Sequence, residues 1–424
     1  MNTKFINARI LPMDGTNLFT GELTVENDRI TYVGAERADD GTQYDRVIDC
    51  GGNLLLPSFK NAHTHSAMTF VRSYADDLPL HEWLYNRIFP LEAKLNGDDI
   101  YALMRLAILE YLTSGITAIG DMYFFRDAMA DAICDTGFRG IILDATNNFG
   151  GGAEKTAAEM ERIRARKNPL LRQVIGVHAE YTTSEALLKE MAALANELRQ
   201  PVFVHMNETE REVQECVERC GMRPFERMDE LGMFNYGGNA YHCVWLSERE
   251  FDIIKQRGIY PVTCPASNLK LASGIAPVKR MLEEGLPVAI GTDGPASNNC
   301  LDMFREMFLV TALQKVLHGA DAVDANEVLK MACVNGAHAL GFDDCDALAV
   351  GKQADIILLD LNNPNMRPLH NIEKNVVYAG SKSNVLMTMV AGRILYERGQ
   401  FFVGDSPERI IAEAEKASRR IENA

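Results

Sequence analysis

Two histidines separated by one residue, His63 and His65, are the first side chains along the chain with the chemistry of metal ligands. They follow an apolar run at residues 54–56, and residues i and i+2 of a strand point to the same face. Two neutral imidazoles that face one point make suitable metal ligands. The pair alone is weak evidence, because histidines at this spacing often lie in solvent.

Further polar side chains stand at the ends of other apolar runs of strand length. Each alone would be interpreted as an ordinary polar residue, but catalytic groups of parallel barrels lie at the carboxyl ends of the strands. Packing alone does not explain why several polar side chains stand at the carboxyl ends of the predicted strands. The residues with this placement are His178, His205, His242 and Asp293. The remaining histidines fall on predicted helices or loops and receive a structural interpretation: His81, His318, His338 and His370.

Three neutral histidines and one carboxylate around an open position are typical of a zinc site, and iron or manganese accept the same ligand types. A metal there lowers the pKa of a water molecule towards about 7. A second group must then move protons. Glu208 follows His205 by three residues and is not needed as a ligand, so we predict it to be the general acid/base.

These residues are positioned by a regular alternation of strands and helices. Helical patterns separate the apolar runs, for example at residues 98–114, 184–198, 247–257 and 301–318, and this alternation predicts a (β/α)8 TIM-type barrel. The eight predicted strands are residues 54–56 leading to His65, 116–121, 140–145, 174–178, 201–205, 240–244, 259–264 and 287–293.

The two ends of the chain have a different pattern. Residues 4–11 and 22–33, the latter with a turn at Asn27-Asp28, indicate strands, as do residues 354–361 and 385–395, and a helix begins at about Pro407. Neither end can bury an apolar face alone. We therefore predict a small β-sandwich domain formed by residues 1–56 and 346–424, beside a metal-dependent hydrolase barrel at residues 57–345.

Composition excludes several classes of protein. The chain has 424 residues and a formal net charge of −16, which disfavours nucleic-acid binding. No apolar run approaches the length of a membrane span, and the N-terminus lacks a signal-peptide pattern. The nine cysteines include no C-x-x-C pair, which disfavours disulfides and zinc fingers. We expect a cytoplasmic protein with a small-molecule substrate and no membrane or nucleic-acid partner; a homo-oligomer is left open.

Several segments carry a resemblance to a known family. The sequence resembles the amidohydrolase superfamily over essentially its whole length, and within it the 5'-methylthioadenosine/S-adenosylhomocysteine deaminase group. The segments that carry the resemblance are 57–65 (PSFKNAHTH), 76–84 (DDLPLHEWL), 89–94 (FPLEAK), 205–209 (HMNET), 242–244 (HCV), 265–271 (PASNLKL) and 291–299 (GTDGPASNN).

The resemblance implies one metal ion, since the fourth strand offers no lysine of the kind that binuclear relatives carboxylate. It implies that Glu208 protonates the ring nitrogen next to the carbon that water attacks. A proton then reaches the departing ammonia through Asp293 and His242. The ligands implied are His63, His65, His205 and Asp293, and the substrate contacts implied are Trp83 as a wall, Glu92 at the ribose hydroxyls and His178 at the ring edge.

Two departures from the family pattern bear on the substrate. Members that take S-adenosylhomocysteine carry arginines after the third strand. Residues 144–155 contain no arginine, and Lys155 is the one cation among them. Glu180 stands where proline is commoner and could add an acceptor to the pocket. We therefore predict deamination of adenosine, 5'-deoxyadenosine or 5'-methylthioadenosine in preference to S-adenosylhomocysteine. The alternatives are another ring (guanine, a pterin or an s-triazine, by deamination or dechlorination) and a non-catalytic relative.

Overall fold

The computed structural model describes residues 2–38 and 41–424, and every structural statement below refers to these residues. Within them the chain forms seventeen strands in two sheets. The strands are β1 (Asn2–Ile10), β2 (Phe19–Glu26), β3 (Arg29–Gly34), β4 (Arg46–Asp49), β5 (Leu54–Pro57), β6 (Phe59–Thr64), β7 (Ile116–Met122), β8 (Arg139–Leu143), β9 (Leu171–Ala179), β10 (Val202–Met206), β11 (Gly238–His242), β12 (Ile259–Thr263), β13 (Ala289–Ile290), β14 (Ile356–Leu359), β15 (Val385–Val390), β16 (Arg393–Glu397) and β17 (Gln400–Phe401).

Helices cover the outside of the barrel and the end of the chain. Many begin at a side-chain cap; Asn96 and Ser247, for example, each form a capping box with an acidic residue three positions later. The α-helices are α1 (Leu80–Trp83), α2 (Phe89–Glu92), α3 (Gly97–Thr113), α4 (Arg126–Thr136), α5 (Ala153–Ala165), α6 (Glu185–Leu198), α7 (Glu210–Cys220), α8 (Pro224–Glu230), α9 (Glu248–Arg257), α10 (Pro265–Lys270), α11 (Val278–Glu283), α12 (Met303–His318), α13 (Ala325–Lys330), α14 (Gly336–Ala339), α15 (Ile372–Tyr378) and α16 (Pro407–Asn423). Short 3-10 turns lie at Ser66–Val71, Asp343–Cys345, Pro364–Met366 and Lys382–Asn384, and π-helical turns at Leu84–Ile88 and Met331–Asn335.

The eight strands β6 to β13 form the barrel. They are parallel and pair in chain order. The first and last strands meet where the Asp293 amide donates to the His63 carbonyl at 3.0 Å. The barrel interior is filled by a cluster that includes Ala118, Phe203 and Tyr241. The predicted (β/α)8 barrel is confirmed, and it brings the carboxyl ends of β6 and β13 side by side.

Two predicted barrel strands differ from the structure in their extent. The run at residues 54–56 belongs to β5, which pairs with β1 and β14 in the other sheet, and the first barrel strand is β6. Only Ser58 separates the two strands, so adjacent segments of the chain serve two sheets. The last barrel strand is also shorter than residues 287–293, since only Ala289–Ile290 pair with β12.

The second sheet combines both ends of the chain. Its nine strands include β1 to β5 and β14 to β17, and β5 joins the two groups by pairing antiparallel with β14. The hairpin at Asn27-Asp28 connects β2 and β3 as predicted. One hydrophobic cluster contains Phe5 and Leu23 from the N-terminal strands and Ile356 and Met389 from the C-terminal strands. The domain boundaries 1–56, 57–345 and 346–424 remain a prediction.

Polar contacts attach the C-terminal segment to the barrel. Asp355 is buried and accepts hydrogen bonds from the Arg139 guanidinium at 2.8 and 3.1 Å and from the Thr117 hydroxyl at 2.9 Å. On the outside, α16 packs on α3, where Arg420 contacts Asp99. Removing the C-terminal segment would leave Arg139 as a buried charge without its partner. No helix in the described ranges has both the length and the apolarity needed to cross a membrane.

We expect a chain truncated after Gly341 to be insoluble or unstable. The truncation removes β14 from β5 and exposes the apolar face of the N-terminal strands. Solubility and thermal melting of residues 1–341 test this, with the same fragment co-expressed with residues 342–424 as the control. A soluble, monodisperse fragment with a cooperative melting transition would contradict the shared sheet.

Candidate metal centre and substrate pocket

The predicted ligands meet at the carboxyl end of the barrel. His63 lies on β6 and His205 on β10, while His65 and Asp293 directly follow β6 and β13. The Oδ1 atom of Asp293 lies 3.5 Å from His63 Nε2 and 3.3 Å from His65 Nε2. The two Nε2 atoms of His65 and His205 are 3.3 Å apart. Three strands thus direct three nitrogens and one oxygen to one point.

Hydrogen bonds to the backbone fix the orientation of two of the imidazoles. His65 Nδ1 donates to the Met122 carbonyl and His205 Nδ1 donates to the His178 carbonyl, both at 2.6 Å. Because a carbonyl only accepts, each Nε2 presents a lone pair to the centre when the ring is neutral. Two facing lone pairs repel each other unless a proton or a cation lies between them.

His63 supplies a direct test of whether a cation fits. Its ring is fully buried against Tyr241, with the two ring centroids 3.7 Å apart, and neither ring nitrogen has a hydrogen-bond partner among the described residues. A buried polar atom without a partner is costly. A divalent metal would satisfy it, so the donor set fits such a metal, with His63, His65 and Asp293 as one group of ligand atoms and His63, His205 and His242 as another.

The protonation states of the predicted ligands suit a divalent metal. Burial lowers the pKa of His63 to about 3 and that of His205 well below its ordinary value, so both rings are neutral ligands. Burial opposes the charge on Asp293 as well, but the nearby His63 and His65 rings hold its pKa well below the ordinary value. Despite burial, Asp293 also raises the pKa of His65 to about 9, so a metal must displace a proton there.

Glu208 lies beside the predicted ligands. Its Oε2 atom is 3.9 Å from His242 Nε2, and its Oε1 atom accepts the Ser273 hydroxyl at 2.9 Å. Burial raises the pKa of Glu208, which suits a group that must hold and release a proton. His242 is oriented by Asn268, whose Oδ1 accepts from His242 Nδ1 at 2.8 Å. His242 and Glu208 therefore face each other across the pocket.

A network of buried carboxylates supports the turn that carries Glu208. Asn207 has a left-handed backbone with a φ of 52°, a conformation that costs free energy in a residue other than glycine. Glu212 accepts the amides of Asn207 at 3.0 Å and of Glu208 at 2.8 Å. Glu250 accepts the Asn207 side-chain amide at 2.8 Å. These bonds hold the strained turn, and with it the direction of Glu208.

The three predicted substrate contacts, Trp83, Glu92 and His178, all line the pocket above the centre. Tyr123 donates to Glu92 at 2.7 Å, and burial raises the pKa of Glu92. His178 Nδ1 donates to the Thr182 hydroxyl at 2.9 Å, which leaves its Nε2 for another partner. Their roles toward a substrate remain predictions.

The pocket continues into a larger cavity of about 1020 Å³. The two share five lining residues: Phe89, Glu92, Phe124, Ala145 and Asn147. Aromatic side chains line much of the larger cavity, and its cations among the described residues are Arg126 and Lys155. Arg126 Nη2 lies 2.7 Å from Asp144 and also contacts Glu159, so two carboxylates neutralise it.

The structure corrects the suggestion that Glu180 adds an acceptor to the pocket. Its carboxylate contacts Arg219 on α7, and it is not among the residues that line the pocket. Three serines that donate to Asp293 and Glu208 were not predicted: Ser267, Ser273 and Ser297. The sequence carries a signal for two of them, because Ser267 and Ser297 lie in two copies of the tetrapeptide Pro-Ala-Ser-Asn.

The comparisons with known proteins agree with the geometry. The model of the amidohydrolase family matches residues 54–395, which is most of the chain. The chain belongs to the amidohydrolase family. This amidohydrolase is 40% identical over 422 residues to a 5-methylthioadenosine/S-adenosylhomocysteine deaminase of Desulforudis audaxviator, with 98% of each chain covered.

Two further relatives carry related names. The amidohydrolase is 40% identical over 414 residues to a 5'-deoxyadenosine deaminase of Methanothermobacter thermautotrophicus, with 96% of each chain covered. It is similar in structure to an adenosine deaminase from Xanthomonas campestris that was crystallised with bound zinc. The TM-score is 0.92 and the identity 33%, over 100% of this chain and 99% of the other.

Proposed function

We propose that this amidohydrolase is a zinc-dependent hydrolase that releases ammonia from the purine ring of adenosine-type nucleosides without an anionic tail. The observation that carries the proposal is the convergence of His63, His65, His205 and Asp293 beside the buried acid Glu208. The deaminase names of the relatives and the bound zinc of the Xanthomonas structure support it.

The metal, when bound, supplies the Lewis acidity that makes water a nucleophile at neutral pH. His63, His65, His205 and Asp293 would hold it. Glu208 protonates the ring nitrogen next to the amino-bearing carbon, which lowers the barrier set by the loss of aromaticity.

The remaining groups move the last proton and orient the substrate. His242 and Asp293 carry a proton to the departing amino group, so that ammonia leaves rather than an amide ion. Trp83 limits the movement of the ring, Glu92 accepts hydrogen bonds from the ribose hydroxyls, and His178 contacts the ring edge. Holding the ring in one orientation contributes to the rate because the reacting atoms are already aligned.

The charges of the larger cavity favour a neutral 5' substituent. Arg126 is already paired with Asp144 and Glu159, which leaves Lys155 as the cation available for a carboxylate. A buried charge without a partner is disfavoured, and solvent access reduces the penalty. We therefore expect kcat/KM for S-adenosylhomocysteine to be lower than for 5'-methylthioadenosine, on the order of tenfold.

The experiment measures kcat/KM for adenosine, 5'-deoxyadenosine, 5'-methylthioadenosine and S-adenosylhomocysteine, by ammonia release and by the ultraviolet change from adenine to hypoxanthine. The Lys155→Met variant is the matched control: it should leave the three neutral substrates unchanged. Equal or better turnover of S-adenosylhomocysteine by the wild type would overturn the preference. Activity on guanine, a pterin or a triazine alone would transfer the proposal to that ring, and no activity on any ring would favour a non-catalytic protein.

A further inference from the structure

The tetrapeptide Pro-Ala-Ser-Asn occurs twice in the chain, at residues 265–268 and 295–298. The first copy follows β12 and begins α10, and the second follows β13 by a few residues. Strands β12 and β13 are neighbours in the barrel, so both copies start from the same part of the rim. Asp293 lies between them in space.

The serines of both copies donate to one oxygen atom. Ser267 Oγ lies 2.5 Å and Ser297 Oγ 2.8 Å from Asp293 Oδ2, and both serines are buried. The other oxygen, Oδ1, accepts the Gly294 amide at 2.7 Å and faces His63 and His65. The two carboxylate oxygens therefore have different partners: Oδ2 accepts the serine hydroxyls, and Oδ1 faces the histidines.

A third residue connects the two copies. Glu306 on α12 is fully buried; its Oε2 accepts the Ala266 amide at 3.0 Å, and its Oε1 accepts the Asn298 side-chain amide at 2.8 Å. The asparagines of the copies have separate uses, since Asn268 orients His242 while Asn298 binds Glu306. Only the serines converge on the same atom.

We propose that Ser267 and Ser297 are a pair of positioning residues that hold Asp293 Oδ2 away from the histidines and so keep Oδ1 as the oxygen available to a metal. This inference rests on the metal site of the proposed function but not on its substrate. Because both hydroxyls bind one oxygen, either alone preserves much of the orientation. Loss of both leaves Oδ2 without a side-chain donor and the carboxylate free to rotate.

The test compares the zinc affinity of Ser267→Ala, Ser297→Ala and the double variant, by competition of the apoprotein with a chromophoric chelator. Changes in residues that orient a ligand typically cost about 10- to 100-fold in affinity. We expect each single variant to lose about threefold to tenfold in zinc affinity. The double variant should lose about a hundredfold or more, which exceeds the product of the two single losses. Ser297→Thr in the Ser267→Ala background should have the zinc affinity of Ser267→Ala alone, because threonine keeps the hydroxyl.

Ser114→Ala is the matched control. Ser114 is equally buried, and its hydroxyl accepts the Met303 amide at 3.0 Å, away from Asp293. This variant should lower the melting temperature without changing zinc affinity. The proposal would be overturned if the fold-loss of zinc affinity in the double variant equalled the product of the losses in the two single variants. It would also be overturned if the double variant bound zinc as tightly as Ser114→Ala. Should the double variant fail to fold, wild-type affinity in both single variants contradicts it. The affinity is measured without a nucleoside, so failure of the proposed deamination is distinguishable.

Discussion

Asp293→Asn and His205→Ala are each expected to abolish turnover and to lower the metal content of the purified protein. Asp293 supplies the one carboxylate that faces His63 and His65, and an amide cannot balance the charge of a divalent ion in a buried site. His205→Ala removes a neutral nitrogen oriented by the His178 carbonyl. With four predicted protein ligands around an open position, the loss of either leaves the site one ligand short.

Elemental analysis of metal per chain, together with the rate of ammonia release, measures both effects. Asp346→Asn and His338→Ala are matched controls, since these two residues form another aspartate–histidine pair at 2.9 Å that does not contact the centre. They should retain metal and activity. Full metal content with normal turnover in Asp293→Asn or His205→Ala would show that the ligands are wrongly assigned.

Glu208→Gln is expected to lower kcat by about a hundredfold or more while the metal content and the melting temperature stay close to those of the wild type. Glutamine keeps an oxygen to accept the Ser273 hydroxyl but cannot transfer a proton, and general acid–base catalysis typically contributes this much to the rate. A loss of kcat at unchanged metal content and melting temperature would show that Glu208 acts in proton transfer and is not needed to maintain the site.

The control for this variant is Glu215→Gln on α7, the helix that follows Glu208. Glu215 is half-buried and pairs with Arg211 at 2.6 Å, so its loss should change neither kcat nor metal content. Wild-type turnover in Glu208→Gln would remove Glu208 from the mechanism. A parallel loss of metal would instead indicate that Glu208 acts on the ligands.

The barrel was predictable because strands buried on both faces leave short apolar runs, and helical patterns separate these runs. The same logic failed at β5, since Leu54–Pro57 is as apolar as a barrel strand and only its partners, β1 and β14, place it in the other sheet. Partner choice depends on contacts far along the chain. Strand length at β13 was likewise not readable from composition.

The site was predictable where residue type limits function. Histidines at strand ends and Asp293 are few, and their chemistry is specific. Serine and asparagine occur in many roles, so Ser273 beside Glu208 and Asn268 beside His242 emerge only from distances. Glu180 illustrates the converse: its position suggested the pocket, but Arg219, from a helix 39 residues further on, engages its carboxylate.

The segment between β8 and α5 lines the larger cavity and contains none of the predicted metal ligands. It folds back on itself, since Asn147 and Gly150 exchange backbone hydrogen bonds, and it ends at the first residues of α5. Ala145 and Asn147 are buried and line the pocket, and the Thr146 carbonyl accepts the His178 amide, whereas residues 149–151 are exposed. We therefore expect an insertion to be tolerated at residues 149–151 and not at residues 145–147. If the proposed function is right, changes at Phe149 and Gly150 would reshape the larger cavity, which both residues line, while the predicted metal ligands stay in place.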